Sequence, residues 1–461
     1  MSTNEPVDLE RAAALSRADR DHLIHGFVPL SKHQADGVPM FVRGEGVYVW
    51  DALGKRYIDG LASLWNVHVG HGRGEISRAA AEQMERLAFT PTLIGPTSEP
   101  AVRLASRLVE MAPEGLTRVI FTSGGSEGNE SMIRLVRAYW KAKGEPGRTR
   151  FVTLNQGYHG TSSGAAMLTG IPVFNQQMEP GLPGVHHMAR PHCYRCELGK
   201  TWPDCGLACA DELERLVERE GADAIGAFVT EPVQGGGGVV VPPPGWLARV
   251  REICTRHGIL MVCDEVITGY GRTGSLFACT GEGVTPDVLV TAKGITSGYL
   301  PLGAVLFREE IFQTLLASGD DAFYHGYTYT GHPVCCAAAL ANLDILERER
   351  LVERAAELGA YLQERLATLL DLPHVGHVRG RGLMAAVELV QDKETREPFA
   401  AEQGVPRKVF DEALANGLLS RVLGNQGLAL SPPLVITREQ IDDMIAILRD
   451  AITTVTQAVA S

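Results

Sequence analysis

From about residue 75 onward, short apolar runs alternate with helical stretches, and this alternation limits the possible folds more than any other feature of the chain. Val119-Ile120-Phe121, Arg150 to Leu154, Ala224 to Thr230, Leu260-Met261-Val262-Cys263 and Val288-Leu289-Val290 each read as a strand. Helices are expected over Glu127 to Lys141 and Pro244 to His257. Strands that are mostly apolar along their length are covered on both faces, and strand–helix alternation delivers a mostly parallel sheet.

The remainder of the chain has a different pattern. Residues 1–35 read as a helix and a loop, and residues 40–60 carry a hairpin signal, with turns at Gly44-Glu45-Gly46 and Asp51 to Gly54. After Pro333 a long Ala- and Leu-rich helix is expected to about Arg354, then a second from Ala355 to Leu370. Gly382 to Leu389 reads as a strand and Glu439 to Ala458 as a closing amphipathic helix. The α/β fold so outlined has an N-terminal segment (1–70) belonging to a small domain, a large domain (71–335) and a C-terminal small domain with its linking helix (336–461). A length of 461 residues suits that division.

Composition excludes several classes of function. The net charge of -12 argues against nucleic acid as a partner, since phosphate binding needs clustered Lys and Arg. No apolar run reaches the roughly 20 residues that cross a bilayer. Met1 to Arg20 lacks the apolar core of a signal peptide, so a cytoplasmic location is expected. Of the nine cysteines, Cys263, Cys335 and Cys336 sit in apolar stretches and read as small core residues rather than disulfide partners.

Four groups of residues at strand ends carry the chemistry, where open α/β sheets place their ligands. The first is Ser123-Gly124-Gly125-Ser126-Glu127-Gly128-Asn129, a glycine turn opening a helix. Backbone N–H groups there favour a phosphate, although alone the segment reads as an ordinary turn with Ser126 as N-cap. The second is Gly157-Tyr158-His159-Gly160, whose aromatic can stack on a flat ring or simply fill a turn. The third pairs Glu231-Pro232 with Asp264-Glu265-Val266-Ile267-Thr268-Gly269. Carboxylates at the ends of apolar strands must be paired, and a buried Asp is the group that keeps a pyridine nitrogen protonated; both can also be helix-capping acids. The fourth is Ala292-Lys293-Gly294, where one of only eight lysines ends an apolar strand. Most lysines are solvated, but burial lowers the pKa of an amine and makes it a nucleophile and proton carrier.

Taken together these segments resemble the class III (ω-) aminotransferases of the fold-type I pyridoxal-5′-phosphate (PLP) enzymes, over about Val42 to Val435. The most specific stretch runs from Thr230-Glu231-Pro232 through Asp264 to Thr273-Gly274 and on to Lys293, 29 residues beyond Asp264. The resemblance implies a mostly parallel, seven-stranded type of sheet in a large domain, with a smaller α+β domain from both chain ends. It implies that Lys293 carries PLP as a Schiff base and moves the proton, and that Asp264 pairs with the pyridine nitrogen. Glu231 would support Asp264 or the cofactor's hydroxyl side. Tyr158 and His159 would both bind the cofactor, Tyr158 stacking on one face of the ring and also bordering the substrate, with Val266 on the other face and Gly125 and Ser126 at the phosphate. Gly326 to Pro333 resembles a stretch that crosses a dimer interface, so Thr328 of the neighbouring subunit would complete the phosphate site. That makes the chain a homodimer with shared sites, pairing into tetramers being left open. Departures are small: Gly124, Gly128 and Tyr327 stand where the family often has Ser, Ala and Phe.

On the substrate side, Leu64 and Trp65 resemble the pocket wall of amine:pyruvate members. Arg421 would bind the acceptor's carboxylate bidentately and swing aside for an uncharged amine; without the resemblance it reads as a surface salt bridge. Ile267 stands where 2-oxoglutarate-using members usually have Gln, which favours pyruvate as keto-acid acceptor. The expected reaction is ping-pong transamination from an ω-amine or ω-amino acid, with a dialkylglycine-type decarboxylase or a semialdehyde aminomutase as the alternative. Cys193, Cys196, Cys205 and Cys209 have spacing that suits zinc or an iron–sulfur cluster. The implied chemistry needs no metal, so they are read as a structural loop with reduced thiols.

Overall fold

Seven strands, in the spatial order Leu116–Thr122, Gly303–Arg308, Val288–Thr291, Leu260–Asp264, Ile225–Thr230, Arg150–Leu154 and Val185–Met188, form the central sheet of the computed structural model. The structure describes residues 8–177, 179–319 and 322–460. The five expected strands are all present, and their mutual pairings are parallel. The expected α/β architecture is therefore the one observed.

Two strands escaped the sequence reading. Val185–Met188 is a short edge strand with two imidazoles in its middle, and it pairs parallel with Arg150–Leu154. Gly303–Arg308 lies antiparallel to both its neighbours. The connection over 292–302 is too short to hold a crossover helix, so the chain can only return antiparallel. Burial explains the apolar runs: all six residues of Ile225–Thr230 are buried, as are all five of Leu260–Asp264. Each fully buried Val, Ile or Phe there contributes roughly 1.5–3 kcal/mol relative to exposure.

Both chain ends meet in a second sheet. Phe41–Glu45, Tyr48–Asp51 and Arg56–Asp59 form an antiparallel meander, and Leu418–Leu419 adds to it in parallel. Gly46 and Val47 make the hairpin turn. A third sheet holds Val375–Arg381, Met384–Leu389, Gly427–Leu430 and Arg421–Leu423. Gly382 and Leu383 form the turn into it rather than the start of the expected strand.

The long helix after Pro333 requires a correction. It ends at Arg348, not near Arg354, and the next helix spans Leu351–Ala367. The break falls at Arg350, which has φ +49°. The Glu349 carboxylate is held in bidentate fashion by Arg73, at 2.9 and 2.7 Å, and Leu351 is tucked into the core. Tertiary contacts set this break where no Gly or Pro announces one. At the N-terminus, helices Leu9–His22 and Leu30–Asp36 flank a loop, and the first seven residues lie outside those described. No helix among the described residues is long and apolar enough to cross a membrane.

Candidate active site

The carboxyl ends of the parallel strands open on a cavity of about 440 Å³, a size that suits a cofactor with a small substrate. Leu64, Trp65, Gly125, Ser126, Tyr158, His159, Glu231, Asp264, Val266, Lys293 and Arg421 all border it. Thr328 does not; it is exposed on the turn after Gly326. The residues expected to act within one subunit are thus brought together, and the one expected to act across subunits lies apart.

Lys293 follows the strand Val288–Thr291 after one intervening residue, Ala292, and takes the left-handed region at φ +46°. A non-glycine residue there is strained, and such strain persists where surrounding structure fixes it. Burial of the amine lowers its pKa to about 8, against the pull of the Asp264 and Glu231 carboxylates. Part of the residue remains open to the cavity.

Asp264 ends its strand with 3 % exposure, and three donors converge on it. Asn129 Nδ2 donates to Oδ2 at 2.8 Å, His159 Nδ1 lies 2.8 Å from the same oxygen, and Val266 N donates to Oδ1 at 3.1 Å. An ionised carboxylate only accepts, so His159 Nδ1 carries the proton. Burial opposes charge on His159, but Asp264 outweighs it and raises its pKa. Its Nε2 lies 3.1 Å from Thr153 Oγ1, which fixes the ring. His159 therefore stands behind Asp264.

Glu231 makes no bond to Asp264. Its two oxygens accept from Tyr158 N and Gly235 N, each at 2.9 Å, so it ties together the loops that flank the cavity. Burial raises its pKa to about 7, and the charge of Asp264 adds to the shift.

At the opposite end, the helix Gly125–Ala142 points its N-terminus into the cavity. Its N-cap is Gly124, so Ser126 lies in the first turn and not at the cap. The cradle is tight: a Cβ on Gly125 would sit 2.8 Å from Val266 Cγ1, and one on Gly160 would collide with Ser126. Free N–H groups at such a helix start suit a phosphate. A depressed amine, a buried carboxylate across from it and an anion cradle are the donor set that PLP requires, and the residues present fit it.

Tyr158 rests edge-on against Phe174 at 5.3 Å, and Phe174 against Phe27 at 5.0 Å, so an aromatic chain roofs the cavity. Trp65 is 1 % exposed and Leu64 46 %. Arg421 sits on a short strand at the cavity, and burial lowers its pKa. Among the described residues no carboxylate pairs with it, so the surface salt-bridge alternative does not hold.

Phe27 was not expected at the site, and Asn129 was included in the glycine-turn segment without a role of its own. Asn129 lies one helical turn beyond Gly125 and so faces the strand ends, a periodicity the glycine turn makes readable. Phe27, in a loop with no motif, carries no such signal. The four cysteines of the 193–209 loop border a small separate pocket of about 20 Å³. Burial raises the thiol pKa of Cys193 and brings that of Cys209 to about 11. Among the described residues only Asp19, His25 and His33 bring three ligand atoms within 4.8 Å of one another.

Comparison with known proteins agrees with this geometry. The family model for aminotransferase class-III matches residues 31–452. An adenosylmethionine-8-amino-7-oxononanoate aminotransferase of Geobacter sulfurreducens is 42 % identical over 442 residues, covering 95 % of this chain and 97 % of its own. A putrescine–pyruvate aminotransferase of Pseudomonas aeruginosa is 41 % identical, covering 93 % and 94 %. The crystal structure of a thermostable (S)-enantioselective omega-transaminase from Thermomicrobium roseum superposes with a TM-score of 0.93 at 46 % identity, covering 96 % of this chain and 98 % of that one.

Proposed function

Because the chain belongs to the class III aminotransferases and uses PLP, we propose that it carries an amino group from an ω-amine or ω-amino acid to pyruvate by a ping-pong reaction. The observation that carries this reading is Arg421, which borders the same cavity as Lys293 and Asp264 and has no carboxylate paired with it among the described residues. A guanidinium with no acid partner is set to receive a carboxylate, as the keto acid brings. The Pseudomonas relative named for pyruvate supports that acceptor, and Ile267 at the cavity edge leaves no amide there.

PLP, when bound, supplies an electron sink for the Cα–H bond of the donor. The chain's residues supply the rest. Lys293 is the covalent anchor and the base that lifts and returns the proton, and the burial that brings its pKa down to about 8 favours the proton-accepting amine far more than in an ordinary lysine. Asp264, held by Asn129 and His159, would pair with the ring nitrogen. Tyr158 and Val266 would hold the ring from either side, Glu231 fixes the loop that carries Tyr158, and Gly125 and Ser126 would receive the phosphate. Leu64 and Trp65 bound the donor's side chain.

The proposal includes a cytoplasmic homodimer in which Thr328 reaches the neighbour's phosphate site. Exposed Met84, Leu87, Phe89, Leu93 and Ile94 support it, since they form an apolar band beside that turn. Phe89 packs at 5.9 Å from Tyr329, and Thr92 N donates to Thr330 O. The division into 1–70, 71–335 and 336–461 is the matching domain assignment.

The test is the absorption spectrum of the purified holoenzyme, wild type and Lys293→Ala. The cofactor band of the wild type should shift on adding β-alanine, taurine or putrescine and return on adding pyruvate, while Lys293→Ala stays unchanged. Return with 2-oxoglutarate alone would overturn the acceptor. Release of carbon dioxide, or turnover with no acceptor consumed, would point instead to a decarboxylase or a mutase.

A further inference from the structure

The cavity wall at Leu64 and Trp65 is built on an unusual backbone. Within four residues, Ala62, Ser63 and Trp65 have φ of +47°, +58° and +65°. None is glycine, and each pays a steric penalty in that region. Three such residues in one turn do not hold themselves; they persist only where other groups over-determine them.

Asp59 is the group that does so here. It ends the strand Arg56–Asp59, is fully buried, and turns its carboxylate into the strained segment. Ser63 N donates to Oδ1 and Oδ2 at 2.8 and 2.7 Å, Leu61 N to Oδ1 at 3.3 Å, and Ser63 Oγ to Oδ2 at 3.3 Å. The last partner is His71, whose Nε2 lies 2.8 Å from Oδ2. His71 is itself anchored. Its backbone pairs with Gly46 in both directions, at 2.8 and 3.0 Å. Its ring lies against Gly44, where a Cβ would come within 2.7 Å of it. The Gly44 backbone therefore bounds one side of the imidazole.

We propose that Asp59, oriented by His71, is a positioning residue that sets how large an amine the site admits, by holding segment 62–65 in its left-handed turn. Neither side chain borders the cavity, so neither touches a ligand there. The inference rests on the reading of Leu64 and Trp65 as the substrate wall. Releasing the carboxylate lets the segment relax toward ordinary φ values, which carries the Trp65 ring off the cavity. Small donors should notice little, because they do not reach the wall.

The experiment compares wild type, Asp59→Asn, His71→Leu and His71→Gln as PLP-loaded holoenzymes. The amine half-reaction is followed with propylamine and with 1-phenylethylamine, and kcat/KM for the bulky donor is divided by that for the small one. Asp59→Asn and His71→Leu should change this ratio by about tenfold, the scale of strain a single left-handed residue stores. His71→Gln places an amide nitrogen where Nε2 stood and should restore the ratio. An unchanged ratio in folded, PLP-loaded variants overturns the proposal, as does an equal loss with both donors. A second readout is independent of turnover. The acrylamide quenching of Trp65, taken as the difference from Trp65→Phe in each background, should rise in His71→Leu; unchanged quenching sinks the positioning role. Failure of wild type to react with these amines and with β-alanine, taurine and putrescine alike would instead sink the amine-transfer reading, and the quenching result would still decide the role of Asp59.

Discussion

A lysine whose amine gives up its proton near pH 8, and not near its ordinary value, is more nucleophilic than a solvated one before any cofactor arrives. Burial gives Lys293 a pKa of about 8, below its ordinary 10.5. Between those two values the unfolded chain binds a proton that the folded chain does not. Stability of the cofactor-free protein must therefore rise with pH across the window from about 8 to 10.5. Measured as the difference from Lys293→Met, which cancels the other groups that titrate there, the gain should be of order 3 kcal/mol. Urea unfolding at pH 7.5 and 10.5 reads it directly. The rate of PLP incorporation should follow the same titration, climbing below pH 8 and levelling above it. Asn129 supports a second prediction at this scale. Its side-chain amide donates both to Asp264 Oδ2 and to His159 O, at 2.8 Å each. Asn129→Leu leaves a buried carboxylate short of a donor, at a cost of about 1–3 kcal/mol. Thermal unfolding and kcat should both fall, with kcat falling more. Lys293 and Asp264 were readable because a charged residue closing an apolar strand has few innocent explanations. The side on which Asn129 faces follows from its spacing from the glycine turn, but its role was not readable, since an Asn within a helix does not name its partner.

At the level of elements, the turn between the strand Leu116–Thr122 and the helix Gly125–Ala142 sets the width of the anion cradle. A methyl on Gly125 would meet both γ-carbons of Val266, at 2.8 and 3.0 Å. Val266 is β-branched and cannot retract, so the helix start or the strand end must shift. Gly125→Ala should weaken PLP binding by about tenfold, on the scale of an overpacked contact. Val266→Ala in the same chain should recover most of that loss, and spectrophotometric titration of both proteins checks it. A loss that Val266→Ala does not rescue would mean that the glycine matters for its backbone alone. The same contrast between local and distant causes explains which elements were legible. The buried parallel strands follow from local apolar runs, and so do the helices between them. The antiparallel return of Gly303–Arg308 follows from the length of the preceding loop, a feature of the whole connection. The helix break at Arg350 follows from Arg73, more than 270 residues away, gripping Glu349. No inspection of residues 340–360 alone could have placed it.

At the scale of the whole molecule, the cavity is lined by one chain except at a point where the sequence expects a second. Thr328 stands exposed beside an apolar band, outside the cavity of its own subunit. If each site borrows Thr328 from the neighbour, two crippled chains can repair one another. In a mixed dimer of Lys293→Ala and Thr328→Ala chains, one site takes the intact Lys293 of one chain and the intact Thr328 of the other. The second site inherits both defects. Random assortment makes about half the dimers mixed, and one of their two sites is whole, so activity should recover to about a quarter of wild type. The measurement is made at limiting PLP, where the Thr328→Ala homodimer is weakest, after unfolding and refolding the two chains together. Without sharing, every site in the mixture keeps at least one defect, and the mixture performs no better than the average of its parents. Recovery above that average therefore depends on the borrowed threonine, and it disappears if Lys293→Ala and Thr328→Ala are placed in the same chain and mixed with a fully inactive partner.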